Sequence, residues 1–382
     1  MSLEYFLDLL SHGNYKRELT LDRFLDPDKV YAELSLLSND FEQEKIGYSV
    51  EGKPIKKIKW GKGVIKIMMW SQMHGNESTT TRALVNLLFH IDENQTAYQS
   101  LYEQLQLIII PIVNPDGALN WTRYNANQVD LNRDALELSQ PESQILMDCY
   151  KTTQPDICLN LHDQRSIFGV HDDFAGMSFL APSFNEDQSL NHNRTISMQI
   201  VAHINDVLSK NGLKAKIGRY DEAFNKNCFG DYFQCQDTPC ILFEAGQLQL
   251  DYNRDFSVYY TMLSLYVFLH SVVTNEFKKY GIKDYYKIPM NKKVFTDLLI
   301  KNVSLNDGVF HIGIMYDMRV HNHHKAYNLV IRYIQTEVLA AHRIIDANGN
   351  HLCNSNNHII KNLSIGEYLS DISVHSVNYS IY

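Results

Sequence analysis

The strongest constraint on the fold is a series of short apolar runs that alternate with segments of helical period. Four of these runs, at 64–70, 107–113, 157–161 and 240–243, predict buried strands. Buried strands separated by helices are typical of a largely parallel sheet that is covered on both faces. We therefore expect an α/β fold with a mixed, mostly parallel twisted sheet and helices on both faces. The reactive groups of such a fold gather at the carboxyl ends of its strands.

The sequence changes in character on either side of this region. Apolar-periodic segments at 3–10 and 30–37 predict a helical N-terminal extension over residues 1–43. From residue 286 onward, β-rich runs replace the helical pattern and predict a small C-terminal β-domain over 286–382. The α/β domain between them is then expected to span residues 44–285.

Charge and hydropathy argue against several classes of protein. The 382 residues carry a formal net charge of −9 without a long Lys/Arg run, so no nucleic-acid partner is expected. No apolar run approaches the ~18 residues of a membrane span, and the first residues lack a basic region ahead of an apolar one. With six cysteines and no CxxC pair, the chain is expected to be cytoplasmic, with reduced thiols and no membrane partner. Nothing in the sequence indicates an oligomeric state.

Side chains with metal-binding chemistry follow two of the predicted strands. His74 and Glu77 come after the first run, and His162 comes directly after the third. Two imidazoles and a carboxylate suit zinc, and a catalytic zinc site keeps three protein ligands and one open position for water. Taken alone, the His74–Glu77 pair also fits a surface turn, and His162 also fits a hydrogen-bonded core histidine.

Charged residues follow the other two strands. The second run leads into Asn-Pro-Asp-Gly at 114–117, and Arg123 and Arg133 lie in the polar segment beyond it. Arginine binds carboxylates through two parallel hydrogen bonds, so one arginine near a metal can hold a substrate carboxylate while another stabilises an oxyanion. Glu244 directly follows the fourth run, where desolvation raises a carboxyl pKa towards the range of a general base and a nearby metal opposes that shift. The ordinary alternatives are surface salt bridges and an exposed glutamate at a strand end.

These features occur together, and in one order: His-x-x-Glu, Asn-Pro-Asp-Gly with the arginines, then His, then Glu. The joint arrangement resembles the zinc metallocarboxypeptidase family over roughly residues 44–273. The resemblance implies that the 44–285 domain is catalytic and holds one Zn²⁺ ion through His74, Glu77 and His162. It also implies that Asp130 accepts the second ring N–H of a ligating histidine.

The resemblance implies further roles in binding and catalysis. Arg123 would polarise the scissile carbonyl, Asn132 and Arg133 would grip the C-terminal carboxylate of the substrate, and Glu244 would be the catalytic acid and base. Tyr220 is the candidate for the family's mobile tyrosine, with an ordinary strand or loop tyrosine as the alternative. Arg165 is a candidate for a second substrate carboxylate, with a structural salt bridge as the alternative.

The leading hypothesis is therefore an intracellular zinc carboxypeptidase or peptide amidase, which hydrolyses a C-terminal peptide or amide bond. The alternative is a zinc-dependent N-acyl amino acid deacylase, which would resemble the aspartoacylase and succinylglutamate desuccinylase branch in its His-Gly-Asn-Glu start, its Asp-Leu-Asn-Arg run and its additional β-domain. A peptidase needs an open groove beyond the scissile bond, whereas a deacylase of small acyl groups can be capped. A third possibility is a binding module that kept the fold without catalysis. The complete ligand set and Glu244 argue against it.

Overall fold

The computed structural model of the chain describes residues 22–171, 173–210, 216–306, 308–321, 324–336, 340–354, 356–369, 372–374 and 377–379. Its tertiary contacts divide the chain into two units. The first unit runs to Gln164 and continues over Ala175–Asn291, and the second comprises Arg165–Phe174 and the chain from Lys292. The helix expected at 3–10 lies outside the described residues, and the domain boundaries at 43/44 and 285/286 stay predictions.

The first unit is built on a mixed sheet. Its strands are β1 (Phe41–Tyr48), β2 (Pro54–Trp60), β3 (Ile65–Ser71), β4 (Leu105–Ile110), β5 (Ile157–Asp163), β7 (Asp173–Leu180), β8 (Lys216–Arg219) and β9 (Cys240–Ala245). Their order in the sheet is β1-β2-β4-β3-β5-β9-β7, and β8 pairs with β7. The first two residues of β7 belong to the second unit. Strands β4, β3, β5 and β9 are parallel, so their carboxyl ends meet at one edge.

Helices cover both faces of this sheet. They are α1 (Pro27–Leu34), α2 (Thr79–Glu93), α3 (Gln95–Gln104), α4 (Pro115–Asn120), α5 (Pro141–Thr153), α6 (His192–Lys210), α7 (Phe229–Cys235), α8 (Asp255–Thr274) and α9 (Ile282–Tyr286). Each face of the sheet packs in its own apolar cluster, and β3 contributes to both because successive side chains of a strand point to opposite faces. Ile67 and Met69 belong to the larger cluster, and Met68 and Trp70 belong to the smaller one. The predicted α/β class, with a mixed sheet between two layers of helices, is confirmed.

Two details of the strands differ from the sequence prediction and shape the site. The second predicted strand ends at Ile110 rather than at residue 113, because Pro111 cannot donate to the strand ladder. His162 and Glu244 lie inside β5 and β9 rather than beyond them, and they are direct neighbours in the parallel register. The two side chains therefore project from the same face of the sheet.

Helix α8 is the single helix among the described residues whose length and hydropathy would also suit a membrane span. Of its apolar window, 78% is buried inside the structure. Leu265 and Phe268 of this helix belong to the larger apolar cluster, which also contains residues of α2 and α6. Packing in the core accounts for the apolar composition of α8.

The second unit contains a five-stranded sheet. Its strands are β11 (Phe295–Leu305), β12 (Gly308–His321), β13 (His324–Gln335), β14 (Ala340–Asp346) and β15 (Tyr368–Leu369), with β6 (Phe168–Val170), β10 (Lys292–Lys293), β16 (Ile372–Val374) and β17 (Val377–Tyr379) beside them in shorter pairings. The sheet order is β14-β11-β12-β13-β15. Its own apolar cluster includes Leu298, Ile312 and Ile331. This β-rich texture agrees with the runs found in the C-terminal sequence.

Acidification is expected to destabilise the first unit through His90. The hydroxyl of Tyr98 lies 2.8 Å from Nδ1 of this buried side chain, and burial lowers the pKa of His90 to about 4. An unfolded histidine has a pKa of about 6.5, so between these values the unfolded chain binds a proton that the folded chain does not, and stability falls as the pH falls. His90→Gln keeps an acceptor but cannot titrate. By calorimetry, its Tm should fall less than that of the wild type between about pH 7 and about pH 5. Equal losses of Tm in both proteins would contradict this assignment.

Candidate metal and catalytic site

Three side chains converge at the carboxyl edge of the parallel strands. The Nδ1 atom of His74 lies 2.9 Å from Oε1 of Glu77, and the Nδ1 atom of His162 lies 2.7 Å from Oε2 of the same carboxylate. All three ligand atoms lie within 4.8 Å of one another. The histidines are buried, and 13% of the Glu77 side chain is exposed. The structure therefore brings the three predicted zinc ligands together.

The loop after β3 places His74 and Glu77 on one side of a tight turn. The N–H of Glu77 donates to the carbonyl of His74 at 3.1 Å. Gly75 packs against Gly117 so closely that a Cβ at Gly75 would lie 1.9 Å from the Gly117 backbone. Asn114 accepts from the N–H of Gly117 at 2.8 Å and donates to the carbonyl of Met73 at 3.2 Å. The Asn-Pro-Asp-Gly segment is thus a support for the ligand loop.

Asp163 joins the end of β5 to the start of α2. Its carboxylate accepts from the backbone N–H groups of Thr79 at 2.9 Å and Thr80 at 3.3 Å, as an N-cap does. The N–H of Asp163 donates to Oε2 of Glu77 at 3.2 Å. This residue, which the sequence reasoning missed, fixes His162 relative to Glu77. The sequence signal that could have indicated this role is the run Ser-Thr-Thr-Thr at 78–81, which is typical of a helix start. The side chain of Ser78 does not cap the helix, so the cap comes from Asp163.

Asp130 connects a candidate ligand to the candidate oxyanion arginine. Its Oδ1 atom lies 3.0 Å from Nε2 of His74, and its Oδ2 atom accepts from Nε and Nη2 of Arg123 at 3.1 and 2.9 Å. Nη1 of Arg123 reaches Glu77 at 3.4 Å. Burial opposes ionisation of Asp130, but His74 and Arg123 outweigh it and hold the pKa of Asp130 well below its usual range. The acid can therefore orient the imidazole and the guanidinium at once.

The donor set fits a zinc ion. When Nε2 of His74 donates to Asp130, its Nδ1 atom carries a lone pair that faces a carboxylate oxygen at 2.9 Å. Two acceptors at that distance repel unless a cation or a proton lies between them. Two imidazole nitrogens and a carboxylate oxygen are ligands that zinc prefers. Burial opposes ionisation of Glu77, but His74 and His162 outweigh it and hold the pKa of Glu77 well below its usual range. The side chain is therefore a carboxylate, the form that binds a metal ion.

Glu244 lies beside the ligand set on the neighbouring strand. It pairs with His162 between β5 and β9 and with Ser178 between β9 and β7. Burial raises the pKa of Glu244 well above its usual range, and the negative charges of Glu77 and Asp163 raise it further. A carboxyl group in this environment is able to accept and return a proton, and a bound cation would lower its pKa again.

The candidate carboxylate clamp lies on a short 3₁₀ turn, Leu131–Arg133, which Asp130 caps by accepting from the N–H of Asn132 at 3.0 Å. The N–H of Phe229 donates to Oδ1 of Asn132 at 3.2 Å, and the side chain of Asn132 is half-buried. Arg133 is exposed, and its Nη1 contacts Sγ of Cys228 at 3.0 Å. The start of α7 therefore supports both members of the clamp.

The two remaining predicted substrate-binding residues, Tyr220 and Arg165, belong to different units of the chain. The hydroxyl of Tyr220 donates to Oε1 of Gln164 at 3.1 Å, two residues beyond His162. Arg165 belongs to the second unit, and its substrate-binding role stays a prediction. The structure also shows a residue with no sequence signal, the buried Arg254. Its guanidinium donates to the carbonyl oxygens of Ala245 at 3.0 Å and Gln164 at 2.8 Å, which ties together the ends of β9 and β5.

Comparison with known proteins agrees with this geometry. Residues 32–137 match the sequence profile of the zinc carboxypeptidase family. Carboxypeptidase 2 of Trichophyton rubrum is 30% identical over 113 residues, which cover 28% of this chain and 21% of that protein. Carboxypeptidase SOL1 of Arabidopsis thaliana is 33% identical over 103 residues, which cover 24% of this chain and 21% of that protein. The chain thus spans about a fifth of the length of these curated relatives.

Solved structures show the same fold. Carboxypeptidase A from Helicoverpa armigera has a TM-score of 0.52 at 18% identity and covers 72% of this chain and 81% of its own. A metallo-carboxypeptidase from Pseudomonas aeruginosa has a TM-score of 0.52 at 18% identity, with coverages of 65% and 68%. The predicted resemblance to the zinc metallocarboxypeptidase family is confirmed over residues 32–137, and the likeness to these solved structures shows a carboxypeptidase-like fold. The matched profile includes His74 and Glu77, whereas His162 and Glu244 lie beyond it and join them through the fold.

Replacing Asp130 by Asn tests its contact with His74. Loss of such a second partner of a ligating histidine typically weakens metal affinity by about 10- to 100-fold. We expect Asp130→Asn to show this loss in a competition titration of zinc against a chromogenic chelator. Asp134→Asn is the matched control, because the Asp134 carboxylate accepts from Ser139 and Gln140 and not from the ligand set. Equal zinc affinity in wild type and Asp130→Asn would remove this role from Asp130.

Proposed function

We propose that the first unit removes C-terminal residues from peptides by zinc-dependent hydrolysis, with His74, Glu77 and His162 as the ligands of one ion. The observation that carries the proposal is the convergence of these three ligand atoms within 4.8 Å, beside Glu244 in strand register with His162. A metal-binding set and a proton-accepting carboxylate on adjacent parallel strands are the minimum for metal-assisted hydrolysis. The family match and the shared fold support the same reaction type.

The clamp residues supply the reason for C-terminal specificity. Arg133 is exposed and presents a guanidinium group, and the preceding residue, Asn132, carries a side-chain amide with N–H donors. Together they offer the hydrogen bonds and the charge that a terminal carboxylate requires. A peptide bound there by its carboxylate directs its last amide bond towards the ligand set.

The proton steps fall to Glu244, and charge stabilisation falls to Arg123. A zinc ion held by His74, Glu77 and His162 would supply Lewis acidity and would lower the pKa of the attacking water towards about 7. Glu244 receives the proton that leaves the attacking water and returns it to the departing amine. The Nη1 group of Arg123, which reaches Glu77 at 3.4 Å, is near enough to the ligand set to donate to the developing oxyanion. Such a donor is typically worth about 3–4 kcal/mol of transition-state stabilisation.

The decisive experiment is product analysis by mass spectrometry. The zinc-loaded protein is incubated with a peptide pool and, separately, with N-acyl amino acids, each with and without a chelator. Chelator-sensitive loss of single C-terminal residues from the peptides is the expected result. Release of amino acids from acylated monomers, with the peptides intact, would replace the proposal by the deacylase alternative. No turnover of either pool by protein with full zinc content would leave a binding module.

Replacing Glu244 by Gln separates metal binding from turnover. The substitution keeps the shape of the side chain but removes its ability to accept a proton. Because Glu244 pairs with His162 through the sheet and is not one of the three ligands, the zinc content should stay at the wild-type value. We expect kcat to fall by about 10²- to 10⁴-fold, the range that general acid–base catalysis supplies. Unchanged turnover in steady-state assays would remove Glu244 from the mechanism.

Replacing Arg133 by Met tests the clamp. The substitution keeps most of the aliphatic length of the side chain and removes the charge, so it should raise KM for peptides with a free C-terminal carboxylate. Losing a charge-assisted hydrogen bond of about 1.5–3 kcal/mol corresponds to a roughly 10- to 150-fold increase. C-terminally amidated peptides are the matched control, because they lack the group that Arg133 would bind. Equal effects on both kinds of peptide would contradict the clamp assignment.

A further inference from the structure

The side-chain amide of Asn160 is buried beside the candidate ligands, and its oxygen lacks a partner. Asn160 lies on β5, two positions before His162, so the two side chains project from the same face of the sheet. The residue is 2% exposed, and its Oδ1 atom has no hydrogen-bond partner among the residues that the structure describes. A buried acceptor without a donor is unfavourable for the fold. Packing alone therefore does not account for an asparagine at this position.

A second unpartnered polar group lies on the same face. Ser178 of β7 is the register partner of Glu244 on β9, so its side chain lies next to that carboxyl group. Ser178 is fully buried, and within the described part of the chain its Oγ atom has no partner either. Asn160 is in register with Leu242, two positions before Glu244. The two polar groups therefore occupy adjacent rows of the sheet at the reaction site.

The layer that covers this face leaves space above the sheet. Leu242 is partly exposed, although its strand neighbours Ile241 and Phe243 are fully buried. Gly230 of α7 faces the amide, because a Cβ at this position would lie 3.6 Å from Nδ2 of Asn160, an ordinary contact distance. Glycine has no side chain that could bond to the amide. Since Leu242 and Asn160 are register partners, the space that exposes the leucine adjoins the amide.

This space lies between the candidate ligands and the candidate carboxylate clamp. Phe229, which precedes Gly230, donates its N–H to Oδ1 of the clamp residue Asn132 at 3.2 Å. At the other end, two positions of β5, about 7 Å along the strand, separate Asn160 from His162. A C-terminal residue with its carboxylate at the clamp and its amide bond at the ligand set has one group left to place, its side chain. That side chain enters the space in front of Asn160.

The groups around this space suit a long, polar and uncharged side chain. Oδ1 of Asn160 needs a donor, and the hydroxyl of Ser178 can donate or accept. Neither group carries a charge, and an ionised side chain that is buried without a partner is strongly unfavourable. A primary amide supplies donors and an acceptor without a charge. The depth of Asn160 below His162 favours glutamine over the short hydroxyl side chains of serine and threonine.

We propose that Asn160 is a specificity-determining residue that selects a C-terminal residue with a carboxamide side chain, glutamine above all, with Ser178 as the second polar contact. The carboxamide donates to Oδ1 of Asn160, which then has the partner that the protein does not provide. This inference rests on the proposed function, because that function supplies the C-terminal residue. It names the class of substrate that the same site takes.

Peptides that differ only in their last residue test the selectivity. The zinc-loaded protein should hydrolyse a peptide that ends in glutamine with a kcat/KM about 5- to 150-fold above that of the peptide ending in methionine, the range for a buried acceptor left without a donor. Asn160→Leu should abolish this difference. Asn86→Leu is the matched control, because it removes a buried amide bond to the carbonyl of Arg82 within α2 and should keep the wild-type selectivity.

Two results of this assay would overturn the proposal. Equal kcat/KM for the glutamine and methionine peptides would leave an ordered water as the partner of Asn160. A preference for a C-terminal lysine would assign the selectivity to Asp231, the acid that follows Gly230 and accepts from the N–H of Asn225 at 3.0 Å.

Thermal stability distinguishes a role in specificity from a structural one. Because Oδ1 of Asn160 has no partner in the described chain, Asn160→Leu should keep or raise Tm. Asn86→Leu should lower Tm, because it removes a hydrogen bond that the fold uses. A loss of Tm in Asn160→Leu as large as that in Asn86→Leu would overturn the proposal. Asn160→Ala serves in the selectivity assay if the leucine variant does not fold.

A binding measurement separates failure of this inference from failure of the proposed function. Zinc-loaded Glu244→Gln is titrated with N-acetyl-L-glutamine and with N-acetyl-L-methionine in a calorimeter, which requires no turnover. The glutamine derivative should bind at least about 5-fold more tightly, and adding Asn160→Leu should remove the difference. Equal Kd values for the two compounds would overturn the role of Asn160. An absence of peptide turnover by the unsubstituted protein would instead contradict the proposed function.

Discussion

The sharing of one buried carboxylate between two histidines is the interaction on which the rest of the site depends. A carboxylate at this depth is stable only when its charge is compensated. Glu77 receives that compensation from both imidazoles, from the N–H of Asp163 and from the Arg123 guanidinium. The contact between Gly75 and Gly117, the capping of α2 and the pairing of β5 with β9 all serve to bring these partners to the same carboxylate.

Negative groups outnumber positive ones around that point. Asp130, Asp163 and Glu244 surround Glu77, whereas Arg123 and Arg254 are the nearby cations that influence them. The pKa of Asp163 and that of Glu244 are raised, mainly by burial and in part by the neighbouring carboxylate of Glu77. A divalent cation in the middle of this group would offset the excess of negative charge, since it is a larger local charge than any single side chain. This distribution of charge favours the binding of a cation by the candidate ligands.

The convergence of the candidate ligands could be predicted from sequence because simple geometry relates these residues to the strands. Apolar runs that end in His or Glu become neighbours when parallel strands align, and this is how His74, His162 and Glu244 come together. The sequence does not predict the contacts of Gln164 with Tyr220 and Asn291. Gln164 and Asn291 are 127 positions apart in sequence and meet through a loop path that no local pattern encodes. Arg254 likewise lies in a polar stretch whose composition does not distinguish it from its neighbours, and only its buried contacts reveal its role.

The course of the chain has a consequence for how the protein can be divided. The second unit takes residues Arg165–Phe174 from the middle of the first, and only then resumes at Lys292. The ring of Phe174 lies 5.1 Å from that of Phe295 and 5.0 Å from that of His342. A fragment cut at the C-terminal end of the first unit would keep Phe174 and lose both of these partners. It would thereby expose the aromatic ring of Phe174, which lies 12 positions along the chain from His162. A single cut therefore cannot separate the two units, and an exchange of the C-terminal β-sheet would also have to change Arg165–Phe174.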